Sequence, residues 1–391
     1  MHTITIVGGS VAGIRSAEAL RTAGFDGRLV LVGDDVHRPY DRPPLSKAFL
    51  DGSLDVDAIG LLDADEEAEL ALDLRLGATA TGLDPAGGRV VLADGTDVPT
   101  DGVVIATGGS ARRLPGTAGV EGVHTLRTLD DALALRRELR DGSPRVAVVG
   151  GGFIGAEVAS TCRAMGLEVT VLDGLPLPMA PVLGPSIARS CVDLHAEHGT
   201  DLRAGATVAG LATVPSDDAR RVVGVELGDG TTVKADVVVV GIGITPNTGW
   251  LDGSGLPLDN GVCTDAGMVT ALPNVVAVGD VARSGARRHE HWTSAGEQAA
   301  VAAANLLSAT SEATFRPSGY VWSEQYGRML QLAGHPSAHD RVDVVDGEPG
   351  DGRFVARYVD DAGVTTGVFA MANPRGFGRL RRSELGRPQA A

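Results

Sequence analysis

Apolar and polar positions along this chain fall into blocks, and the blocks repeat. Residues 4–7 (ITIV) form a short β-branched run, the pattern of a strand buried on both faces. A turn follows at Gly8-Gly9-Ser10-Val11-Ala12-Gly13, then a helical pattern through Ala23. A second apolar strand, Leu29–Val32, ends in Gly33-Asp34-Asp35. Strand, glycine turn, helix, strand and acid make a βαβ unit. The same order returns at 145–149 (RVAVV), followed by Gly150-Gly151-Gly152-Phe153-Ile154-Gly155 and a helix to about Met165. Its closing strand, Val169–Leu172, ends in Asp173. Ile154, Val158 and Cys162 recur every fourth position, which assigns them to one helix face.

Each unit runs on into short strands. Gly77-Ala78-Thr79 opens one such stretch, with turns at Gly87-Gly88 and Asp94-Gly95; Gly205-Ala206-Thr207 opens the other, with a turn at Gly228-Asp229-Gly230. Both close on an apolar strand meeting glycines, VVIATGG at 103–109 and VVVVGIG at 237–243. This is a duplication at domain scale. Residues 275–282 (VVAVGDVA) then predict a strand ending in Gly279-Asp280, 291–307 an Ala-rich helix, and strands return from about Phe315. The expected fold is α/β: two Rossmann-like dinucleotide-binding domains, each with a β-meander, plus a C-terminal α+β domain. Residues 1–111 and 241–314 are assigned to the first domain, 112–240 to the second and 315–391 to the third.

Composition narrows the picture. A chain of 391 residues exceeds one core. With only 4% aromatics, the cores rest on aliphatic side chains, and 54 glycines suit tight turns and close cofactor contacts. A net charge of −16 argues against a nucleic-acid partner. No apolar run reaches membrane-span length, and no leader-like segment precedes the first strand, so a cytoplasmic protein is expected. Cys162, Cys191 and Cys263 form no CxxC pair, which disfavours a disulfide framework, a cysteine zinc site and a redox dithiol. The histidine pairs His195/His198, His289/His291 and His335/His339 have no Cys or carboxylate cluster beside them, so no metal site is expected.

The turns carry the candidate chemistry. In the second, Gly150 makes the tight turn, Gly152 lets backbone approach a pyrophosphate, and Gly155 lets helix and strand pack closely. The helix N-terminus then offers N–H groups to the phosphates. Asp173 stands where an acid bonds a ribose 2′-hydroxyl and repels a 2′-phosphate, favouring NADH over NADPH. In the first turn Ser10 replaces the middle glycine, and either Asp34 or Asp35 takes the ribose role. Arg42-Pro43-Pro44-Leu45-Ser46-Lys47 is a basic loop whose Pro-Pro predicts an extended backbone facing the cofactor. Asp280 after Gly279 can cap a helix, bond a ribitol hydroxyl, or both.

Together with the two turns, DRPPLSK (41–47), IATGG (105–109), VGD (278–280) and VWSEQYG (321–327) resemble the FAD-dependent NAD(P)H:ferredoxin reductases. That family serves Rieske oxygenases and bacterial haem-thiolate monooxygenases on a glutathione-reductase-like fold. The resemblance implies FAD contacts at Gly8, Ser10, Ala12, Gly13, Asp34 or Asp35, Arg42, Lys47 and Ala80. It adds Ala106, Thr107, Gly108, Arg127, Gly279, Asp280, Trp292 and Trp322. For NAD it implies Gly150, Gly152, Phe153, Ile154, Gly155, Glu157, Asp173 and Gly243. It pairs Lys47 with Glu157 beside flavin N5 as the catalytic residues. The implied electron flow runs from NADH through FAD to a 2Fe–2S ferredoxin that feeds an oxygenase. An NADH oxidase on the same fold is the alternative; a disulfide reductase would need a cysteine near the flavin, which DRPPLSK lacks. Arg375, Arg379, Arg381, Arg382 and Arg387, against Glu384 alone, and the cluster Arg283, Arg287 and Arg288 are the expected docking face for an acidic ferredoxin.

Overall fold

The computed structural model describes residues 1–217 and 219–386. Thr3–Val7 pairs in parallel with Arg28–Gly33 on one side and Gly102–Ile105 on the other. Leu72–Leu76 and Val275–Ala277 complete a five-stranded parallel sheet in the order 275–277, 102–105, 3–7, 28–33, 72–76. Parallel sheets carry crossovers on both faces, hence the continuous apolar runs. The helices Val11–Thr22 and Trp292–Ser308 pack on each other, burying Ile14, Ala17 and Leu20 in one core with Ala295, Ala302 and Leu306.

The second unit repeats the plan, with parallel strands in the order 123–125, 237–240, 146–149, 169–173, 201–204. Each sheet has its antiparallel meander, at 80–84, 89–92 and 97–99 and at 208–216, 219–227 and 232–234. The C-terminal part is an antiparallel sheet in the order 321–325, 328–334, 365–371, 353–359, 341–348, followed by the helix Pro374–Glu384. No described helix is long and apolar enough to cross a membrane.

The structure adjusts three local expectations. The strand expected to end in Gly279-Asp280 runs Val275–Ala277, and Gly279, at φ +74°, opens the 3-10 turn that follows it. The Pro-Pro loop is not extended: Pro43–Ser46 is a 3-10 turn leading into Ala48–Asp51. Proline's fixed φ and missing N–H suit a first helical turn equally well. Ile154 shares its helix face with Val158 and Cys162, but at the first turn it is 47% exposed on the cleft wall while the other two are fully buried.

The helix Ala180–Glu197 follows the second βαβ unit in sequence but packs on the C-terminal sheet. Leu183, Ile187, Cys191 and Leu194 share a core with Leu330, Phe354, Tyr358 and Phe369. The helix kinks at Gly184, and the Tyr358 hydroxyl donates to the Leu183 carbonyl there at 2.7 Å.

Candidate cofactor and active site

The two glycine turns open onto one cleft of about 750 Å³. Gly8 has φ +120°, and a Cβ there would overlap the Ala106 carbonyl; a Cβ on Gly13 would overlap the Gly8 carbonyl. The second turn repeats both contacts: Gly150, at φ +106°, abuts the Gly241 carbonyl, and Gly155 abuts that of Gly150. Close packing of strand and helix therefore fixes these four glycines before any ligand enters. The middle position differs. A Cβ on Gly152 would meet nothing within 4 Å among the described residues, and Ser10 sits at the matching place with an unstrained φ of −104°. Neither helix start is capped by a side chain among the described residues, so the first N–H groups of both are free for an anion.

Most of the expected residues converge here. Gly8, Ser10, Ala12, Asp34, Asp35 and Arg42 line the cleft with Lys47 and Ala80. Ala106, Thr107, Gly108, Arg127, Gly279 and Asp280 also line it, as do Trp292 and Trp322. The second unit contributes Gly152, Phe153, Ile154, Gly155, Glu157 and Gly243. Gly13, Gly150 and Asp173 are not part of the lining. The two glycines lie behind their turns, and Asp173 accepts hydrogen bonds from the backbone N–H of Gly151 and Leu175, both at 2.7 Å.

The two candidate ribose acids have different surroundings. Asp35 accepts from His37 N at 3.0 Å and from the Tyr40 hydroxyl at 2.8 Å. The Tyr40 oxygen in turn accepts from Leu129 N at 2.8 Å, and burial pushes its pKa up to about 12, so it stays a donor. Asp34 is exposed and makes no hydrogen bond among the described residues, leaving its carboxylate free for a ligand hydroxyl.

Arg42 is the buried cation of the cleft. Burial, then the charge of Arg127, lowers its pKa, and its Nε has no partner among the described residues. An orphaned guanidinium donor is costly unless an anion fills the gap. Arg127 is anchored instead, donating to Asp280 at 2.8 Å and to the Gly109 carbonyl at 2.9 Å. Open helix ends, an unpaired buried cation and a free acid fit the diphosphate and ribose of FAD.

At the junction of loop and second unit, Lys47 Nζ donates to Glu157 Oε2 at 2.6 Å, and the Glu157 side chain is 4% exposed. Ser46 and Ser323 hydroxyls donate to the same carboxylate at 2.6 and 2.7 Å. Both serines lie inside motifs legible in the sequence, yet no spacing reveals that positions 46, 157 and 323 meet. Sequence reasoning also missed the setting of Trp292. Its Nε1 donates to Asp41 at 2.7 Å, Arg15 lies 5.7 Å over its ring, and Trp322 meets it edge-on at 5.8 Å. Burial raises the Asp41 pKa. Tyr320 stacks on Trp322 at 5.9 Å, and the Arg381 guanidinium lies over the Tyr320 ring at 5.0 Å.

None of the three cysteines lines the cleft. Cys162 and Cys191 are buried, which pushes both thiols up to about 12. His195 hydrogen-bonds Tyr326 at 2.7 Å and His198 stacks on the same ring at 4.6 Å; no three metal-type ligands cluster among the described residues. The expected cluster Arg283, Arg287, Arg288 is not a free positive patch. Arg288 is largely buried, paired with Glu290 at 2.6 Å and donating to the Asp280 carbonyl, and Arg283 is paired with Asp259. Of the C-terminal arginines, Arg387 lies outside the described residues.

Comparison with known proteins now places the chain. Residues 2–299 match the pyridine nucleotide-disulphide oxidoreductase family, and residues 320–384 match the reductase C-terminal family. Rhodocoxin reductase of Rhodococcus erythropolis is 37% identical, over 90% of this chain and 82% of its own length. The ferredoxin reductase component of chlorobenzene dioxygenase from a Cupriavidus strain is 38% identical, over 97% of this chain and 91% of its own. In the covalent complex of putidaredoxin reductase with putidaredoxin, a solved chain superposes with a TM-score of 0.90 at 34% identity, covering 98% of this chain and 92% of that one. The chain belongs to the FAD-dependent NAD(P)H:ferredoxin reductases, a branch of the pyridine nucleotide-disulphide oxidoreductases.

Proposed function

We propose that this protein carries electrons from NADH through FAD to a 2Fe–2S ferredoxin that feeds a Rieske or haem-thiolate oxygenase. The observation that carries the reading is the convergence of both glycine turns on one cleft with the Lys47–Glu157 pair at 2.6 Å on its wall. Bound there, the flavin supplies the conversion from a two-electron donor to a one-electron acceptor. The protein supplies position and charge. The first turn and Arg42 hold the diphosphate, and Asp34 the adenosine ribose. Arg127 and Asp280, locked to each other, hold the ribityl side. Lys47 places a positive charge where the reduced ring accumulates negative charge, and Glu157 fixes Lys47 in place.

NADH is the preferred donor in this reading. Two backbone N–H groups keep Asp173 as a fixed carboxylate at the end of its strand. That charge accepts a 2′-hydroxyl and repels a 2′-phosphate. A pyridine-nucleotide donor pool is intracellular, which supports a cytoplasmic setting.

The ferredoxin docks on the helix Pro374–Glu384. Arg375, Arg379 and Arg382 are exposed there, and Arg381 reaches Tyr320, itself part of the cleft wall. An acidic carrier is steered to such a face, so its reduction rate falls as salt rises. A salt-independent rate would count against docking through these arginines.

The central test is Lys47→Ala. It should keep FAD and slow anaerobic flavin bleaching by NADH by about a hundredfold. Unchanged bleaching kinetics would sink the role of Lys47. Rapid peroxide formation without ferredoxin, with no acceleration when ferredoxin is added, would select an NADH oxidase instead.

A further inference from the structure

Glu157 receives more than the lysine. Its Oε2 accepts from Lys47 Nζ and Ser46 Oγ, each at 2.6 Å, and its Oε1 accepts from Ser323 Oγ at 2.7 Å. Ser323 comes from the C-terminal strand Val321–Gln325, one residue after Trp322 of the cleft wall. Its own oxygen accepts from Gln325 Nε2 at 3.0 Å, so its proton is turned toward the carboxylate. Ser323 and Gln325 are completely buried, and Ser46 nearly so.

The helix Phe153–Ala164 makes this a built junction. Positions 157, 160 and 161 share one face, being three and four residues apart. Thr161 Oγ1 donates to the Ser46 carbonyl at 2.8 Å, tying down the loop of Lys47. Ser160 Oγ accepts from Tyr326 N at 2.6 Å, tying down the hairpin turn after Ser323. Tyr326 holds this turn in the left-handed region at φ +52°, which a tyrosine adopts only when its surroundings enforce it.

We propose that Ser323 is a positioning residue for Lys47: the C-terminal domain supplies the hydrogen bond that holds the Glu157 carboxylate aimed at the ammonium. A buried carboxylate needs donors at both oxygens to stay charged. Without Ser323, Oε1 loses its partner in a dry site; Glu157 then turns away, and Lys47 loses its anchor. The lysine site is thereby completed from outside both dinucleotide-binding units. This inference rests on the role given to Lys47 above.

Among the described residues Lys47 is the one titratable group that touches the carboxylate. Asp41 and Arg42 lie in the same loop, Asp51 at the end of the short helix after it, and Arg163 on the helix of Glu157. Glu324 and Tyr326, with His195 and His198 against Tyr326, stand on the hairpin side.

The experiment compares FAD-loaded wild type with Ser323→Ala and Ser323→Thr. Two quantities are read: the pH dependence of flavin bleaching by NADH, and the Glu157 carboxyl resonance in protein labelled with ¹³C at glutamate. Ser323→Ala should slow bleaching about tenfold and displace the Glu157 carboxyl resonance from its wild-type position. Ser323→Thr, which keeps the hydroxyl, should restore both. If Ser323→Ala does not fold, Gln325→Met removes only the bond that turns the Ser323 proton, and should move both quantities in the same direction by less. A folded variant with wild-type kinetics and an unmoved Glu157 resonance overturns the proposal. So does an equal loss in Ser323→Thr. If Lys47→Ala leaves bleaching unchanged, the role of Lys47 itself fails; if Lys47→Ala is slow and Ser323→Ala is not, only this inference does.

Discussion

The two βαβ units share a frame and differ where a ligand would tell them apart. Gly8 N donates to the Val32 carbonyl at 2.7 Å, and Gly150 N to the Leu172 carbonyl at 2.8 Å, so the two turns leave their sheets in the same register. The first and last glycines of each turn abut matching backbone carbonyls. At the middle position one unit has Gly152 and the other Ser10, and the register puts Gly33 opposite Asp173, with Asp34 one residue later. Glycines that the fold itself needs are kept twice. The middle position, where a Cβ on Gly152 would meet nothing within 4 Å among the described residues, has diverged.

That comparison can be broken in order of effect. Gly13→Ala and Gly155→Ala each drive a Cβ into a carbonyl and should cost about 3 kcal/mol in denaturant unfolding. The two should part company spectroscopically: Gly13→Ala loses its yellow colour, while Gly155→Ala keeps FAD and loses affinity for the pyridine nucleotide. Colour lost in both, or neither, would undo the assignment of the turns. Next, Asp173→Ala should lower the ratio of kcat/KM for NADH over NADPH about tenfold or more. A ratio that stays put would mean that Asp173 serves only the Gly151 and Leu175 backbone.

Smaller effects separate the two neighbouring acids. Asp34→Asn should weaken FAD binding by about 1 kcal/mol, measured by titrating FAD into apoprotein, with little change in unfolding of the apoprotein. Asp35→Asn should do the reverse, because it replaces one of the two oxygens that accept from His37 N and the Tyr40 hydroxyl with an amide donor. The smallest effect is expected for Ser10→Gly, within about 0.5 kcal/mol in unfolding and in FAD affinity. A large loss there would show that the serine hydroxyl, and not merely its small size, is used.

Much of this was legible in the sequence because it is local. Strand, turn, helix and acid lie within about thirty residues, and their hydrophobic period declares each element. Glu157, Arg127 and Trp322 were found by resemblance, Lys47 and Asp280 also by their place in the chain, and they converge on one cleft. What escaped was of two kinds. One was conformation that a residue type leaves open, as at Pro43-Pro44, where a fixed φ serves a helical turn or an extended chain. The other was partnership at long range. Ser46 and Ser323 are 277 residues apart, and only the folded chain shows them on one carboxylate. The arginine cluster at 283–288 erred for the same reason: charge counted along the chain does not reveal the Asp259 and Glu290 that neutralise it.

The helix Ala180–Glu197 bears on how such a reductase can be recombined. It is encoded with the nucleotide-binding unit but completes the core of the C-terminal sheet through Leu183, Ile187, Cys191 and Leu194. A chimera that exchanges the C-terminal domain at a junction near residue 315 would set a foreign sheet against this helix and leave the Leu183 carbonyl without Tyr358. The transferable module is therefore discontinuous. A working graft must bring the apolar face of this helix along with the sheet, because the C-terminal core is stitched, residue by residue, into a helix that lies earlier in the chain.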